Sequence, residues 1–470
     1  MKVWPLKFRP TADGSSLLFA DEAGGFFRSD SAFLERYAYG RLSPYDAKFL
    51  FANGHAFEQA GDLAHTAFAY RWAARQAVPG DLGYVVLVPT LRCNLACSYC
   101  QVSRADEKSS GHDWTDQTLE AVFTFLSGIS ADTLKVEFQG GEPLLRVDLL
   151  DRVRTFCRQR FQKVEFVVCT NLQHLGPAEW EFINASDTFV STSIDGNAVT
   201  HRMQRTETEE KNDEFFSNLD EAVRRLAPGR ISALPTIDVE NPPSPASVLD
   251  TYARYGIHSI YLRPINYQGF ARKRHAAKNV VDRWNALYRE FIDLMIEQNG
   301  RGEVFFEEFY LVHCLRRILR SGIDNHVDLR NPNFLGKDYI VIDYDGRFYP
   351  TDEARMMTRV GQIDLSVGDV FSGLDNAKLD VLNQHASNTF DPDCIHCPYQ
   401  AFCGVDLIDD ISREGRIDGP RIHSDFCRRH TFLFDLVFEL LYSEDPKVRR
   451  SLAAWAGVPD LPRSITPVHQ

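Results

Sequence analysis

The chain has 470 residues, of which 44% are hydrophobic and 25% are charged, and its formal net charge is −13 at pH 7. This length is too great for one compact core and predicts two or three domains, while the acidic balance speaks against nucleic acid as a partner. There is no run of about 18 apolar residues and no apolar signal-peptide core near the N-terminus, so we expect a cytoplasmic protein without membrane spans.

The first 80 residues are predicted to form a small α+β domain. Strand-like runs occur at 16–20 and 25–28, and Ser43 followed by Pro44 is typical of the start of a helix. From residue 81 to 300, apolar or β-branched runs alternate with helical patterns. The runs are Tyr84–Leu91, Leu134–Phe138, Val164–Thr170, Thr188–Ile194, Ile231–Ile237 and Ile257–Arg263.

Six strand–helix units predict an α/β fold, an open partial (β/α)6 barrel with a parallel sheet and outer helices. In such barrels ligands lie at the C-terminal ends of the strands. A helical connector is predicted at 301–338, and residues 339–470 form a last domain with a C-terminal helix. That domain begins with a hairpin pattern, Tyr339–Tyr349, whose turn is Asp345-Gly346.

Ten cysteines in a cytoplasmic chain require an explanation other than disulfides. Seven fall into two tight groups, which indicates metal sites with soft ligands. The groups are Cys93, Cys97 and Cys100, and Cys394, Cys397, Cys403 and Cys427. The lone cysteines Cys157, Cys169 and Cys314 are predicted to be packing residues, with a place in a cavity wall as the alternative for Cys169.

The first group has the spacing CxxxCxxC and follows the first predicted barrel strand directly. Three thiolates on one loop can ligate three irons of a [4Fe–4S] cluster and leave the fourth iron open for a chelating cosubstrate. A zinc site or scattered core cysteines are the alternatives, although three ligands leave a structural zinc unsaturated.

This spacing, together with Gly140-Gly141-Glu142-Pro143 after the second strand, resembles the radical S-adenosylmethionine (SAM) superfamily. The resemblance implies an oxygen-sensitive enzyme whose cluster and SAM generate a 5′-deoxyadenosyl radical. It implies that the glycines let the backbone approach SAM and that Glu142 accepts from the SAM ammonium group. The residues predicted to bind the cofactor are Tyr99, Gly140, Gly141, Glu142, Pro143, Thr170, Asn171, Ser193, Asp195, Arg205 and Arg263. For the polar strand ends and both arginines, ordinary solvated positions are the alternative.

The second cysteine group taken alone is compatible with an all-cysteine zinc ribbon. Beside a radical SAM signature it resembles the SPASM or twitch region of peptide-modifying enzymes, which implies one auxiliary [4Fe–4S] cluster. Thr351 and Leu407 stand where a full SPASM pattern has further cysteines, so we predict two clusters rather than three. Asp352 matches the catalytic base of sulfatase-maturing enzymes, and a turn or helix-cap carboxylate is the alternative.

Several further segments are similar to the radical SAM maturases of His-Xaa-Ser systems, the HxsB type. They are PLKFR, LRCNLACSYCQVSR, EFQGGEPLL, TSIDG, LRPINYQGFA and DYDGRFYPTDEARM. The resemblance implies an oxidoreductase that modifies a ribosomally made precursor peptide, most simply by a side-chain crosslink such as a cyclophane, with flavodoxin or ferredoxin as electron donor. It leaves open a leader-binding role for residues 1–80, a formylglycine-type maturase, a peptide epimerase and a zinc-stabilised peptide-binding scaffold.

Overall fold

The structure is a computed structural model that describes residues 1–76, 80–266, 268–271, 280–302, 304–320, 322 and 326–461. Parts of the predicted connector 301–338, of the LRPINYQGFA segment and of the C-terminal domain lie outside these residues. The division of the chain into four domains stays a prediction.

The N-terminal segment forms a three-stranded sheet, a separate two-stranded sheet and three helices. Its strands are Lys2–Val3, Lys7–Pro10, Leu17–Ala20, Phe26–Ser29 and Ala56–Phe57, and its helices are Ser31–Ala38, Pro44–Ala52 and Leu63–Arg75. Three of the strands pair antiparallel in chain order. The predicted helix start is confirmed, because the Ser43 hydroxyl accepts from the backbone N–H of Asp46 at 3.1 Å.

Five parallel strands form the centre of the molecule and pair in chain order. They are Tyr84–Thr90, Thr133–Gly140, Lys163–Cys169, Thr188–Ser193 and Ile231–Leu234, called the first to fifth strands below. In the second strand buried and half-buried residues alternate. Leu134, Val136 and Phe138 belong to the apolar core, whereas Lys135, Glu137 and Gln139 line a cavity. The inside of the sheet is therefore polar.

The barrel breaks up after the fifth strand, where one continuous sixth strand was expected. Arg263–Pro264 pairs with Thr236–Ile237, while Ser259–Ile260 pairs with Glu307–Glu308. Prolines 235 and 264 lack the backbone N–H that a continuous ladder needs, which accounts for the short pieces. On the other side, the predicted hairpin is confirmed. Its strand Tyr339–Ile342 extends the sheet in parallel beside the first strand, and Phe348–Tyr349 closes it antiparallel.

Helices cover the outside of the sheet and form the C-terminal region. They are Asp116–Ser127, Val147–Arg160, Pro177–Asn184, Ala198–His201, Glu209–Arg225, Pro245–Arg254, Val281–Arg301, Phe309–Leu319, Asp352–Arg359, Asn376–Asn383, Leu407–Glu414, Asp425–Leu441 and Pro446–Ala456. Short helical turns lie at Pro143–Arg146, Arg202–Thr206, Val327–Leu329 and Arg421–His423, and two-residue strands at Arg92–Cys93, Ala105–Asp106, Gly368–Asp369 and Gly373–Leu374. None of these helices is long and apolar enough to cross a bilayer.

The long helix Asp425–Leu441 includes Cys427 in its first turn. It also carries the contact with the N-terminal sheet. Asp435 accepts from Arg9 at 2.9 Å, Phe438 packs edge-on against Phe26, and the Tyr442 ring lies under Arg28. The N-terminal sheet therefore packs on the C-terminal region rather than standing apart.

A buried hydrogen bond between an aspartate and a histidine holds the N-terminal segment together. Asp21 Oδ2 lies 2.7 Å from His55 Nδ1, both side chains are almost fully buried, and Asp21 Oδ1 accepts from Gly25 N at 2.9 Å. Asp21→Ala leaves both donors without a partner, and we expect the free energy of unfolding to fall by about 3 kcal/mol. Urea denaturation followed by circular dichroism measures this loss. Glu58→Ala, which removes an exposed carboxylate from the same segment, is the matched control; equal stability of the two variants would contradict the assignment.

Candidate functional site

One cavity of about 780 Å³ opens at the C-terminal ends of the parallel strands. It collects most of the residues that the sequence motifs single out, although they come from widely separated segments. The predicted residues that line it are Cys93, Cys97, Tyr99, Cys100, Gly140, Gly141, Thr170, Asn171, Ser193, Arg205, Arg263 and Asp352. A cavity of this size matches the volume of small-molecule sites in proteins. Glu142, Pro143 and Asp195 lie behind its surface.

The two glycines after the second strand have no room for a side chain. Gly140 has φ +120°, and a Cβ there would collide with the carbonyl oxygen of Thr90. A Cβ on Gly141 would collide with the carbonyl oxygens of Leu91 and Arg92. The protein's own backbone, immediately before Cys93, therefore occupies the space, and glycine is required here to place the cysteine loop.

Glu142 connects the ends of three strands. Its side chain is 1% exposed; Oε2 accepts from Asn171 N at 2.7 Å and Oε1 from Leu144 N at 3.1 Å. The Asn171 amide donates in turn to Asn94 Oδ1 at 2.8 Å, next to Cys93. Burial raises the pKa of Glu142 to about 7. Glu142 thus joins the loop after the third strand to the turn after the second, and its predicted contact with SAM stays a prediction.

Asp195 anchors the cysteine loop through Tyr99, which lies between Cys97 and Cys100. The Tyr99 hydroxyl donates to Asp195 Oδ2, and Arg205 Nε lies 2.5 Å from the hydroxyl and 3.2 Å from the carboxylate. The other oxygen of Asp195 accepts from Thr236 N at 2.9 Å. Because Asp195 is fully buried, the structure gives it a positioning role, and its predicted contact with the cofactor remains a prediction.

A polar network inside the sheet was missed at the sequence level. Glu137 accepts from Tyr84 Oη at 2.6 Å and from Gln139 Nε2 at 2.5 Å, and Cys169 Sγ lies 3.3 Å from the same carboxylate. Burial and then the charge of Glu137 raise the pKa of the Cys169 thiol. Cys169 therefore faces the cavity rather than the packed core, whereas Cys157 and Cys314 are buried packing residues as predicted. The alternation of polar and apolar residues in the second strand could have predicted these cavity-facing side chains.

Asp352 lies at the start of the helix Asp352–Arg359. The helix cap is Thr351, whose hydroxyl accepts from Ala354 N at 3.0 Å, so Asp352 is not the capping residue. One carboxylate oxygen accepts from Arg355 Nε at 2.8 Å. Arg263 lies on the same cavity surface, with its guanidinium 5.5 Å from the centre of the Tyr261 ring.

The four C-terminal cysteines lie together, away from the cavity lining. Cys394, Cys397 and Cys403 belong to the loops before residue 405, and Cys427 is in the first turn of the helix Asp425–Leu441. Burial, and after it the other three thiols, raises the pKa of Cys403 well above its usual value. Such thiols become ligands only as thiolates, so binding of a metal or cluster would release their protons.

Neither cysteine group has the geometry of a site for a single metal ion. Among the residues that the structure describes, no three or more His, Cys, Asp or Glu side chains are arranged to hold one ion. The first group fits an iron–sulfur cluster in its donor chemistry, with three thiols on one loop at a cavity, and the second offers four thiols.

Comparisons with known proteins agree with this geometry. Residues 87–260 match the model of the Radical SAM superfamily. An uncharacterised protein of Methanocaldococcus jannaschii is 29% identical over 115 residues, which is 24% of this chain and 38% of that protein. The chain thus spans well under half the length of this curated relative, so the activity of the whole protein is a matter for proposal.

Two solved structures share the fold at low sequence identity. The structure of anSMEcpe with bound AdoMet has a TM-score of 0.61 at 16% identity and covers 80% of this chain and 99% of its own. The structure of Streptococcus suis SuiB bound to precursor peptide SuiA has a TM-score of 0.52 at 12% identity, and the match covers 88% of this chain and 97% of SuiB. The family match, the cysteine loop and the glycine contact agree: residues 87–260 form a radical SAM domain.

Proposed function

We propose that this protein is a radical SAM enzyme that modifies a ribosomally made precursor peptide, most simply by joining two side chains. One observation carries the proposal: the three thiols of the CxxxCxxC loop, the two glycines and the polar ends of the third and fourth strands line one cavity. Its relation to the HxsB-type maturases of His-Xaa-Ser systems is part of the same proposal.

Cys93, Cys97 and Cys100 would hold a [4Fe–4S] cluster with one iron open. With SAM bound, such a cluster supplies the electron that yields a 5′-deoxyadenosyl radical, which removes hydrogen from the substrate. The residues around it would hold the cysteine loop in place, since Asp195 accepts from Tyr99, which lies in that loop. Thr170, Asn171 and Ser193 offer polar groups for the amino acid and ribose parts of SAM.

A peptide substrate is supported by the two solved relatives. The anSMEcpe structure with AdoMet also exists with a Cp18Cys peptide, and SuiB is bound to its precursor peptide. In this chain the cavity extends beyond the cysteines to the helices Val281–Arg301 and Asp425–Leu441, through Trp284, Tyr288 and Leu433. This leaves space for peptide side chains beside SAM.

For a crosslink, one hydrogen atom goes to the radical, a new bond forms from the substrate carbon to a ring or heteroatom, and one proton and one electron leave. Asp352 is proposed to take the proton, since its carboxylate lines the cavity and is held in place by Arg355 Nε. Cys394, Cys397, Cys403 and Cys427 would hold an auxiliary cluster, which would supply an acceptor for the electron. Flavodoxin or ferredoxin is the proposed donor, the cytoplasm the proposed compartment, and leader binding the proposed role of residues 1–80.

The decisive experiment is anaerobic reconstitution followed by coexpression with a short reading frame from the same gene neighbourhood. We expect about eight irons per chain, release of 5′-deoxyadenosine that depends on SAM, and loss of two hydrogens from the peptide. An unchanged peptide mass with turnover would indicate epimerisation instead. Bound zinc without turnover would indicate a peptide-binding scaffold and would refute the enzyme.

The first prediction concerns the cysteine loop. Replacing Cys93, Cys97 and Cys100 together with alanine should remove about four irons and abolish 5′-deoxyadenosine release, because no thiolates remain to hold the cluster. Iron analysis and chromatography of the reaction measure both effects. Cys157→Ala, at a buried cysteine outside both groups, should keep the full iron content, and turnover by the triple variant would contradict the proposal.

The second prediction concerns Gly141→Ala. The added methyl group collides with the carbonyl oxygens before Cys93, so the loop has to shift. We expect the iron of the radical SAM cluster to fall at least twofold while the iron on the C-terminal cysteines stays, as measured by iron analysis and electron paramagnetic resonance. Gly80→Ala, where a Cβ meets no atom within 4 Å and φ is not positive, controls for replacing a glycine as such, and equal iron in both variants would show that the contact is dispensable.

A further inference from the structure

Three carboxylates from distant segments line the same cavity, and they are called the acidic wall below. Asp328 lies in the turn Val327–Leu329, Glu353 in the helix Asp352–Arg359, and Asp406 directly before the helix Leu407–Glu414. Burial and then neighbouring carboxylates raise the pKa of Glu353 and of Asp406, and Asp328 contributes to both shifts. The three groups are therefore close enough to repel one another.

The positive charges near the acidic wall do not balance it. Arg413 and Arg429 both pair with Asp409, at 2.7 and 2.9 Å, and Arg330 pairs with Asp338 at 2.6 Å. Within the described part of the chain, neither Asp328 nor Glu353 forms an ion pair.

Arg263 is the cation that faces the acidic wall. Burial opposes its charge, but Tyr261, Glu353 and Asp328 raise its pKa. One guanidinium therefore faces three mutually repelling carboxylates, and a further cation would relieve that repulsion.

Gln268 provides a second, independent sign that a ligand is missing. Its side chain is 4% exposed and lines the same cavity, and Nε2 donates to Asp409 Oδ1 at 3.3 Å. Its Oε1 atom is buried and has no hydrogen-bond partner in the described residues. A buried carbonyl oxygen of this kind requires an N–H or O–H donor.

We propose that the acidic wall binds a cationic side chain of the peptide substrate and so selects which residue enters the cavity beside SAM. This inference rests on the proposed peptide-modifying function. A metal ion does not fit as the occupant, since no three of these side chains are arranged around a single point. An extended organic cation with several N–H donors reaches separate carboxylates and an amide oxygen at once. The nearby rings of Tyr261 and Tyr310, stacked 5.8 Å apart, add a flat surface suited to a guanidinium group.

The test uses the reconstituted full chain with SAM and two small probes of nearly equal shape. N-acetyl-arginine amide carries the charge, and N-acetyl-citrulline amide replaces the guanidinium with a neutral urea group. Saturation-transfer nuclear magnetic resonance titrations should show at least tenfold tighter binding of the arginine probe. Glu353→Gln and Asp328→Asn should each weaken that binding at least fivefold and leave the citrulline probe unaffected.

Glu290→Gln is the matched control, because it removes the same charge from an exposed position on the helix Val281–Arg301. It should change neither affinity. Equal affinity of the unaltered protein for both probes would overturn the inference even if a variant failed to fold, and so would equal losses in Glu353→Gln and Glu290→Gln. The proposed function fails in a different way, by the absence of SAM-dependent 5′-deoxyadenosine release, whatever the probes do.

Discussion

The backbone of Gly140 and Gly141 lies against the carbonyl groups of residues 90 to 92, with no space for a side chain between them. This contact sets the distance between the first two strands of the sheet at the point where the cysteine loop begins. Further anchors depend on it, because Glu142 reaches Asn171 from the same turn, and Asn171 in turn contacts Asn94. One close contact between two backbone segments thus determines the relative positions of three strand ends.

The rest of the cavity follows from the parallel sheet. Strands that run in one direction bring their C-terminal ends to one edge, so polar residues from widely separated segments of the chain meet there. The alternation of side chains along the second strand then divides core from cavity, with Val136 and Phe138 outside and Glu137 inside. The early end of the barrel at Pro235 and Pro264 leaves room that the C-terminal helices and loops fill with their own residues.

Local sequence patterns predicted the strands, the capped helices and the hairpin, because each of these features depends on residues close together in the chain. The cysteine loop and the glycine turn were also predictable, since their spacing is specific. Asp328, Glu353 and Asp406 were not, because each resembles an ordinary surface carboxylate and only tertiary folding brings them together. The second strand was interpreted as an apolar run, so the role of Glu137 was not predicted. Cys169 was predicted to be a packing residue, because its own segment does not show which residues neighbour it across the sheet.

The helix Asp425–Leu441 has a consequence for how the molecule is divided. A continuous α-helix is a stiff rod, and this one bears Cys427 at its first turn and the contacts of Asp435 and Phe438 with the N-terminal sheet two to three turns later. Residues 1–76 consequently support the helix that carries Cys427. Removing these residues would expose the aromatic side chains that they cover and would weaken the support of the helix on which Cys427 lies. The N-terminal segment therefore contributes to the stability of the C-terminal cysteine group.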